Sequence, residues 1–239
     1  MELRTAILPE LVRIPGGCFL MGDDEGRPDE RPRHEVELPD FFAARLPVTN
    51  AEYARFIGAT GRETPRFWQD PAFNSPLQPV IAVTWGDSCA YCAWLSTEAG
   101  QRYRLPTEAE WERAARGGLE GAAYPWGAEP PLVGGLSLAR VSQTAPYPTG
   151  TAPANGFGLI DVGFNIHEWC LDWYNPGYYA RSPRSDPRGP ATGTRRASRG
   201  GAWRHQIKVC RCAARSSLDP IFRYNDYGFR VFSSRRDAG

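Results

Sequence analysis

Of the 28 basic side chains in this 239-residue sequence only Lys208 is a lysine, and histidine occurs three times, at His34, His167 and His205. Nearly all positive charge therefore sits on guanidinium groups, which grip carboxylates bidentately and stack on aromatic rings. The three histidines are scattered along the chain, so no closely spaced cluster of the kind that holds zinc or non-haem iron is expected. An excess of either charge is also missing. The formal net charge is +1, which gives no global field to recruit nucleic acid or an anionic membrane. No apolar run approaches the length of a membrane span, and Met1 to Pro9 is too weakly apolar for a signal peptide. The expectation is a cytoplasmic protein with neither nucleic acid nor membrane as partner. The six cysteines, at 18, 89, 92, 170, 210 and 212, lack the regular spacing of a disulfide framework and are expected as thiols.

What is abundant is aromatic and conformationally special. Eight Trp, ten Tyr and eleven Phe supply area for a real core, while 25 Gly and 22 Pro argue for short elements joined by ordered loop. With no linker-like shift in composition, residues 1–239 are expected to form a single domain. Thr49-Asn-Ala-Glu52 and Thr107-Glu-Ala-Glu110 are capping boxes that open helices ending near Gly61 and at Gly117-Gly118. Another helix is expected from about Asp87 through Trp94. Ile14 to Gly22 reads as one short strand, Asp23 to Arg33 as a solvated charged loop, and His34 to Leu38 as a half-buried strand. Tyr124 to Leu159 shows no period and reads as packed loop. Strand alternation returns weakly in Ala197 to Trp203 and Gly228 to Phe232.

Several constellations could carry chemistry. Cys89-Ala-Tyr-Cys92 lies within a helix without further ligands at zinc spacing, so buried thiols are expected there. In Cys210-Arg-Cys212, two soft thiolates could hold Cu(I), yet side chains at i and i+2 of an extended strand lie about 7 Å apart, too far for a linear copper bridge unless the backbone bends. The irregular loop Asp161 to Glu168 combines carboxylates and carbonyls in the manner hard Ca²⁺ requires. Arg199, Arg204, Arg211, Arg215, Arg223 and Arg230 either bridge loops to Asp and Glu or line a positive pocket. Trp203, Arg204, His205, Ile207, Leu218, Ile221, Phe222 and Tyr224 combine rigid contact area with polar donors, as a protein- or peptide-binding face does.

Arg104-Leu-Pro-Thr-Glu-Ala-Glu-Trp-Glu-Arg113, Asn165-Ile-His-Glu-Trp-Cys-Leu-Asp-Trp-Tyr174 and the bracketing Gly200-Gly201 and Tyr227-Gly228-Phe229-Arg230 resemble the formylglycine-generating enzyme, or sulfatase-modifying factor, family. The resemblance runs from Ile14 to Phe232. It implies an α+β fold, the loop-rich variant of the C-type-lectin-like fold, with little regular secondary structure. It also implies a copper-dependent oxidase acting on a peptidyl cysteine through two cysteines. Cys212 matches the second of these, but Ile207 stands where the first belongs, so the copper site is incomplete unless Cys210 substitutes. By the same resemblance one calcium ion is expected on the side chains of Asp161 and Glu168 and the carbonyls of Phe164 and Ile166. Phe164 replaces a family glycine that may have positive φ, and Leu136 to Ser142 lacks the ligands of a further calcium site. The variable proteins of diversity-generating retroelements share this fold and vary residues in this C-terminal region. The favoured expectation is a family member that binds a protein, peptide or small ligand through its C-terminal loops.

Overall fold

The computed structural model describes residues 6–127, 132–133, 136–137 and 144–234. Chain order is β1 (Leu11–Ile14), β2 (Gly17–Met21), β3 (His34–Leu38), β4 (Phe41–Ala44), α1 (Asn50–Thr60), α2 (Trp85–Ala99), β5 (Tyr103–Arg104), α3 (Glu108–Arg116), β6 (Leu132–Val133), β7 (Leu136–Ser137), β8 (His167–Trp173), β9 (Arg196–Arg199), β10 (Arg215–Leu218), β11 (Tyr227–Gly228) and β12 (Phe232–Ser233). The fold is mixed α+β, as expected.

Local chemistry sets the helices. Thr49, Thr84 and Thr107 are N-caps, each closing a capping box with the acid three residues on, and Gly61, Gly100 and Gly117 end the helices in the left-handed conformation. Each cap is worth about 0.5–2 kcal/mol. The box Thr84-Trp-Gly-Asp87 has Asp where the usual pattern has Glu, which is why α2 starts earlier than Asp87; it also runs on to Ala99, beyond the expected end at Trp94. The expected strand from Ile14 to Gly22 is broken at Pro15-Gly16. A side chain at Gly16 would stand 2.7 Å from the backbone of Asp40 and Leu38, so the chain turns there and continues as β2, paired with β3.

Two four-stranded sheets, ordered β1-β4-β12-β5 and β10-β9-β8-β11, carry the core. Their principal apolar clusters centre on Trp111, Phe41 and Phe232, and on Tyr53, Tyr91, Trp169 and Phe229. Trp111, Ala114 and Ala115 of α3 are buried, as their spacing predicts. The expected strand over Ala197 to Trp203 stops at Arg199, where Gly200 takes φ +79°, and that over Gly228 to Phe232 divides into β11 and β12. Within the expected loop Tyr124 to Leu159, β6 and β7 form a small antiparallel ladder. Residues 138–142, part of the stretch judged to lack the further calcium ligands, lie outside the described residues. All six cysteines are free. No helix among the described residues is long and apolar enough to cross a membrane.

Asp23 to Arg33 is not the solvated loop expected. Glu30 and Asp29 are buried, because Arg211 holds both Glu30 oxygens at 2.6 and 2.7 Å and Tyr174 donates to Asp29 at 2.7 Å. The charged run is docked by ion pairs from the opposite end of the chain.

Candidate functional site

Arginines locate the framework of the site. Arg199, on β9, is fully buried; it contacts Glu108 at 3.0 Å, Tyr179 at 3.1 Å and the carbonyl of Cys212 at 2.6 Å, and also pairs with Glu112. Arg215, on β10, grips Glu108 bidentately at 2.7 and 2.8 Å. Arg230 holds Glu168 at 3.0 Å, and Arg204 and Arg223 pair with Asp226 and Asp87 at 2.8 and 3.3 Å. All six C-terminal arginines thus have acidic partners, as the loop-bridging reading expects. Burial alone would raise Glu108, but Arg215 and Arg199 hold it below the usual carboxylate range, and Arg116 and Arg199 do the same for Glu112 against its burial. Asp172, buried and next to Glu108, is pushed up to about 8.

Cys210 and Cys212 sit in different surroundings. Ile207–Val209 is a turn of 3₁₀-helix and Cys210 to Ala213 is irregular, so the extended geometry expected for Cys210 and Cys212 does not occur. Cys210 packs with Ala152 and Phe164, whereas Cys212 belongs to the core around Trp111. Both are buried, and burial pushes both thiols up to about 12. Ile207, half-buried against the Cys210 cluster, offers no ligand.

Two of the four expected calcium ligands have hydrogen-bond partners within the protein. The carboxylate of Asp161 accepts from the backbone N–H groups of Gly150 and Ala152 at 2.6 and 3.1 Å. Glu168 accepts from the Trp111 indole at 2.8 Å and from Arg230 at 3.0 Å. The Phe164 side chain packs against Trp126 and Tyr147 and that of Ile166 lies in the core, whereas the ligands expected of these two residues are backbone carbonyls. The left-handed backbone foreseen at Phe164 falls instead on Gly163, at φ +95°, and Asp161, at +59°, which is why a phenylalanine is tolerated there.

The expected binding face divides in two. Leu218 is 4% exposed and packs into the core, so it is corrected from contact surface to scaffold; as the last residue of β10 it points to the sheet's inner side. Beyond it, Ile221, Phe222 and Tyr224 are 72%, 42% and 47% exposed. Their backbone is fixed: Trp85 N–H donates to the Pro220 carbonyl and Ala82 N–H to that of Tyr224, both at 3.2 Å, and Phe222 N–H donates to the Asp219 carbonyl at 3.1 Å. Trp203, half-buried, donates its indole N–H to Asn225 at 3.3 Å and leans on Phe73. Arg204 and His205 are exposed on the adjoining turn.

One constellation was not legible in the sequence. His167 at the start of β8, His205 on the turn after β9 and Asp226 just before β11 bring one ligand atom each to within 4.8 Å of the others. The expectation that the histidines stay apart is therefore wrong for this pair, whose rings lie 4.9 Å apart. Their sequence separation carries no motif; parallel pairing of Tyr227 with His167 and the bond from His167 N–H to the Asp226 carbonyl at 2.8 Å bring them together. His167 and Asp226 are 5% and 1% exposed. Burial lowers His167 to about 3, with His205 adding to the effect. His167 Nδ1 and Asp226 Oδ1 are buried without a hydrogen-bond partner, an omission that costs about 1–3 kcal/mol per group. Both histidines line a cavity of about 280 Å³ together with Gly200, Gln206, Val209 and Ser216.

A loop-rich α+β scaffold, braced by buried arginine–glutamate pairs and presenting its C-terminal loops on one pinned surface, defines the formylglycine-generating-enzyme-like class of the C-type-lectin-like fold. The model of the sulfatase-modifying factor enzyme 1-like domain matches residues 2–235, and the chain belongs to that family. The formylglycine-generating enzyme of Streptomyces coelicolor is 36% identical over 282 residues, covering 92% of this chain and 87% of that one. The structure of PvdO from Pseudomonas aeruginosa superposes with a TM-score of 0.79 at 30% identity over 95% of both chains. Treponema denticola variable protein 1, at 22% identity, shares the fold with a TM-score of 0.80 over 94% of this chain and 95% of that one.

Proposed function

We propose that this chain is a formylglycine-generating-enzyme-like protein that does not carry out copper-dependent cysteine oxidation and instead binds a protein or peptide through its C-terminal loops. The observation that carries the reading is the segment between β10 and β11, where Ile221, Phe222 and Tyr224 face solvent while backbone hydrogen bonds from the start of α2 and from Ala82 hold the loop in place. Exposed apolar side chains on a fixed backbone bind with little ordering cost, because the rotational freedom of the main chain is already lost. Aromatic side chains, with two side-chain torsions, add large contact area at low entropy. Arg204, Arg223 and Trp203 give the polar rim such contacts use.

The alternative of a formylglycine-forming oxidase finds no support in Ile207 or in two buried, strongly protonated thiols. The variable-protein alternative has one observation in its favour: the exposed residues 204–206 and 221–224 sit on loops whose flanks, Gly200-Gly201 and Gly228 to Arg230, are buried. Side chains there could change without disturbing the core. Panning a random peptide library against the chain tests the proposal. Peptides should be enriched and should compete for one site; enrichment that persists undiminished on an Ile221→Ser, Phe222→Ser, Tyr224→Ser variant would refute it.

A further inference from the structure

From the placement of His167, His205 and Asp226 we propose a second site, adjoining the loop face and sharing the Arg204–His205 turn with it: a two-histidine, one-carboxylate centre for a divalent first-row transition-metal ion, open on one side to the adjoining cavity. Imidazole with carboxylate is a donor set suited to such ions, and three protein ligands with positions left for water or a small ligand mark a reactive rather than a purely structural site.

Orphaned atoms supply the independent reason to expect a ligand. His167 Nδ1 and Asp226 Oδ1 are buried and unpartnered, although buried polar atoms are overwhelmingly paired. The His167 ring has one backbone hydrogen bond, to Gly200. Since Nδ1 has no partner, that bond belongs to Nε2, which then carries the proton and leaves the Nδ1 lone pair free. A carbonyl on the far nitrogen is the usual device by which a metal-binding imidazole is oriented.

Geometry asks for a small adjustment. Around a tetrahedral ion, ligand atoms at about 2.0–2.2 Å from the metal stand roughly 3.3 Å from one another, against a present separation within 4.8 Å. His205 can close the difference, being exposed and on a turn outside the strands. Its Nε2 already lies 3.6 Å from Asp226 Oδ2. Arg204 donates Nε to that same oxygen at 2.8 Å, so a guanidinium competes for the negative charge; its own exposure allows it to swing away. The cavity beside both histidines leaves room for water or a small ligand on the open side.

Titrating the full chain with Co(II), under anaerobic conditions and with any affinity tag removed, tests the proposal. Expected are visible d–d bands saturating at one ion per chain, with no thiolate-to-cobalt band. His205→Ala, which alters an exposed side chain and should leave the melting temperature unchanged, should weaken Co(II) by at least about 10-fold, the lower end of what loss of even an outer-shell partner costs. Asp226→Asn should do the same, and Arg204→Ala should tighten binding. Absence of the bands, a strong thiolate band, or equal affinity in His205→Ala would overturn the site. The Ile221, Phe222 and Tyr224 substitutions should leave Co(II) binding intact, so failure of the peptide reading and failure of the metal site are separable.

Discussion

Arg199 and Arg204 are five residues apart and lie on opposite sides of a physical boundary. Arg199 is fully buried and satisfies two glutamates and a carbonyl; Arg204 is half in solvent and holds one carboxylate. The same contrast separates Leu218, in the core, from Ile221, three residues on and mostly exposed. In this protein residue type does not assign role. The turn at Gly200 and the end of β10 decide where scaffold stops and presented surface begins, and the two regions should answer differently to the same kind of substitution.

The largest effect is expected at the buried network. Arg199→Ala leaves Glu108 and Glu112 short of a cationic partner and should lower unfolding stability by about 3–5 kcal/mol, as loss of one member of a buried pair does, read by denaturant melts. Next in size is Leu218→Ala, which should lose about 2–5 kcal/mol through the cavity it leaves. If Leu218→Ala and Ile221→Ala were equally costly, the boundary drawn at the end of β10 would be misplaced.

The pH dependence sharpens the same contrast. Glu108 and Glu112 are held below their ordinary value by arginines despite burial, so their stabilisation is full above the ordinary value and is lost as pH falls below it through the lower folded-state value. Asp172 has the opposite sign. Raised by burial and by Glu108 from 3.8 to about 8, it keeps a proton in the fold that the unfolded chain releases, so its contribution is full below about 4 and lost as pH rises toward 8. Melting temperature should therefore fall on acidification below the ordinary glutamate range, and Asp172→Asn should remove the loss of stability that Asp172 contributes as pH rises from 4 to 8. An unaltered slope in that variant would show that Asp172 does not titrate as inferred.

Smaller effects belong to the metals of the family. With Glu168 committed to Arg230 and Trp111, removal of calcium by EDTA should leave the melting temperature unchanged; a clear drop, restored by added Ca²⁺, would reinstate the ion. With Ile207 in place of a thiolate, Cu(I), oxygen, a reductant and a peptide containing Cys-X-Pro-X-Arg should yield no aldehyde by mass spectrometry. Aldehyde that disappears in Cys212→Ser would return the chain to the oxidases.

Local signals in the sequence reported the helices well, because Thr49, Thr107 and the closing glycines act within one turn of the chain. They reported less of the strands, since β8 and β11 are defined by partners far away in sequence. The fold class followed from the quoted motifs, which contain Glu108, Glu112, Glu168 and Arg230 of the buried network, while Arg199 and Arg215 lie outside them. Two features of the site escaped. The burial of Asp29 and Glu30 depends on arginines about 180 residues downstream, and the meeting of His167, His205 and Asp226 depends on strand pairing that no spacing announces. The exposure of Ile221, Phe222 and Tyr224 was legible as apolar residues among turn formers; the burial of Leu218 was not, because its side is set by pairing with Arg196.

Measuring peptide affinity and melting temperature together on Phe222→Ala tests the central claim most directly, using a peptide enriched on the wild-type chain. The account predicts binding weakened by about 1–3 kcal/mol with a melting temperature close to wild type. A lowered melting temperature with affinity retained would contradict it and make Phe222 part of the scaffold.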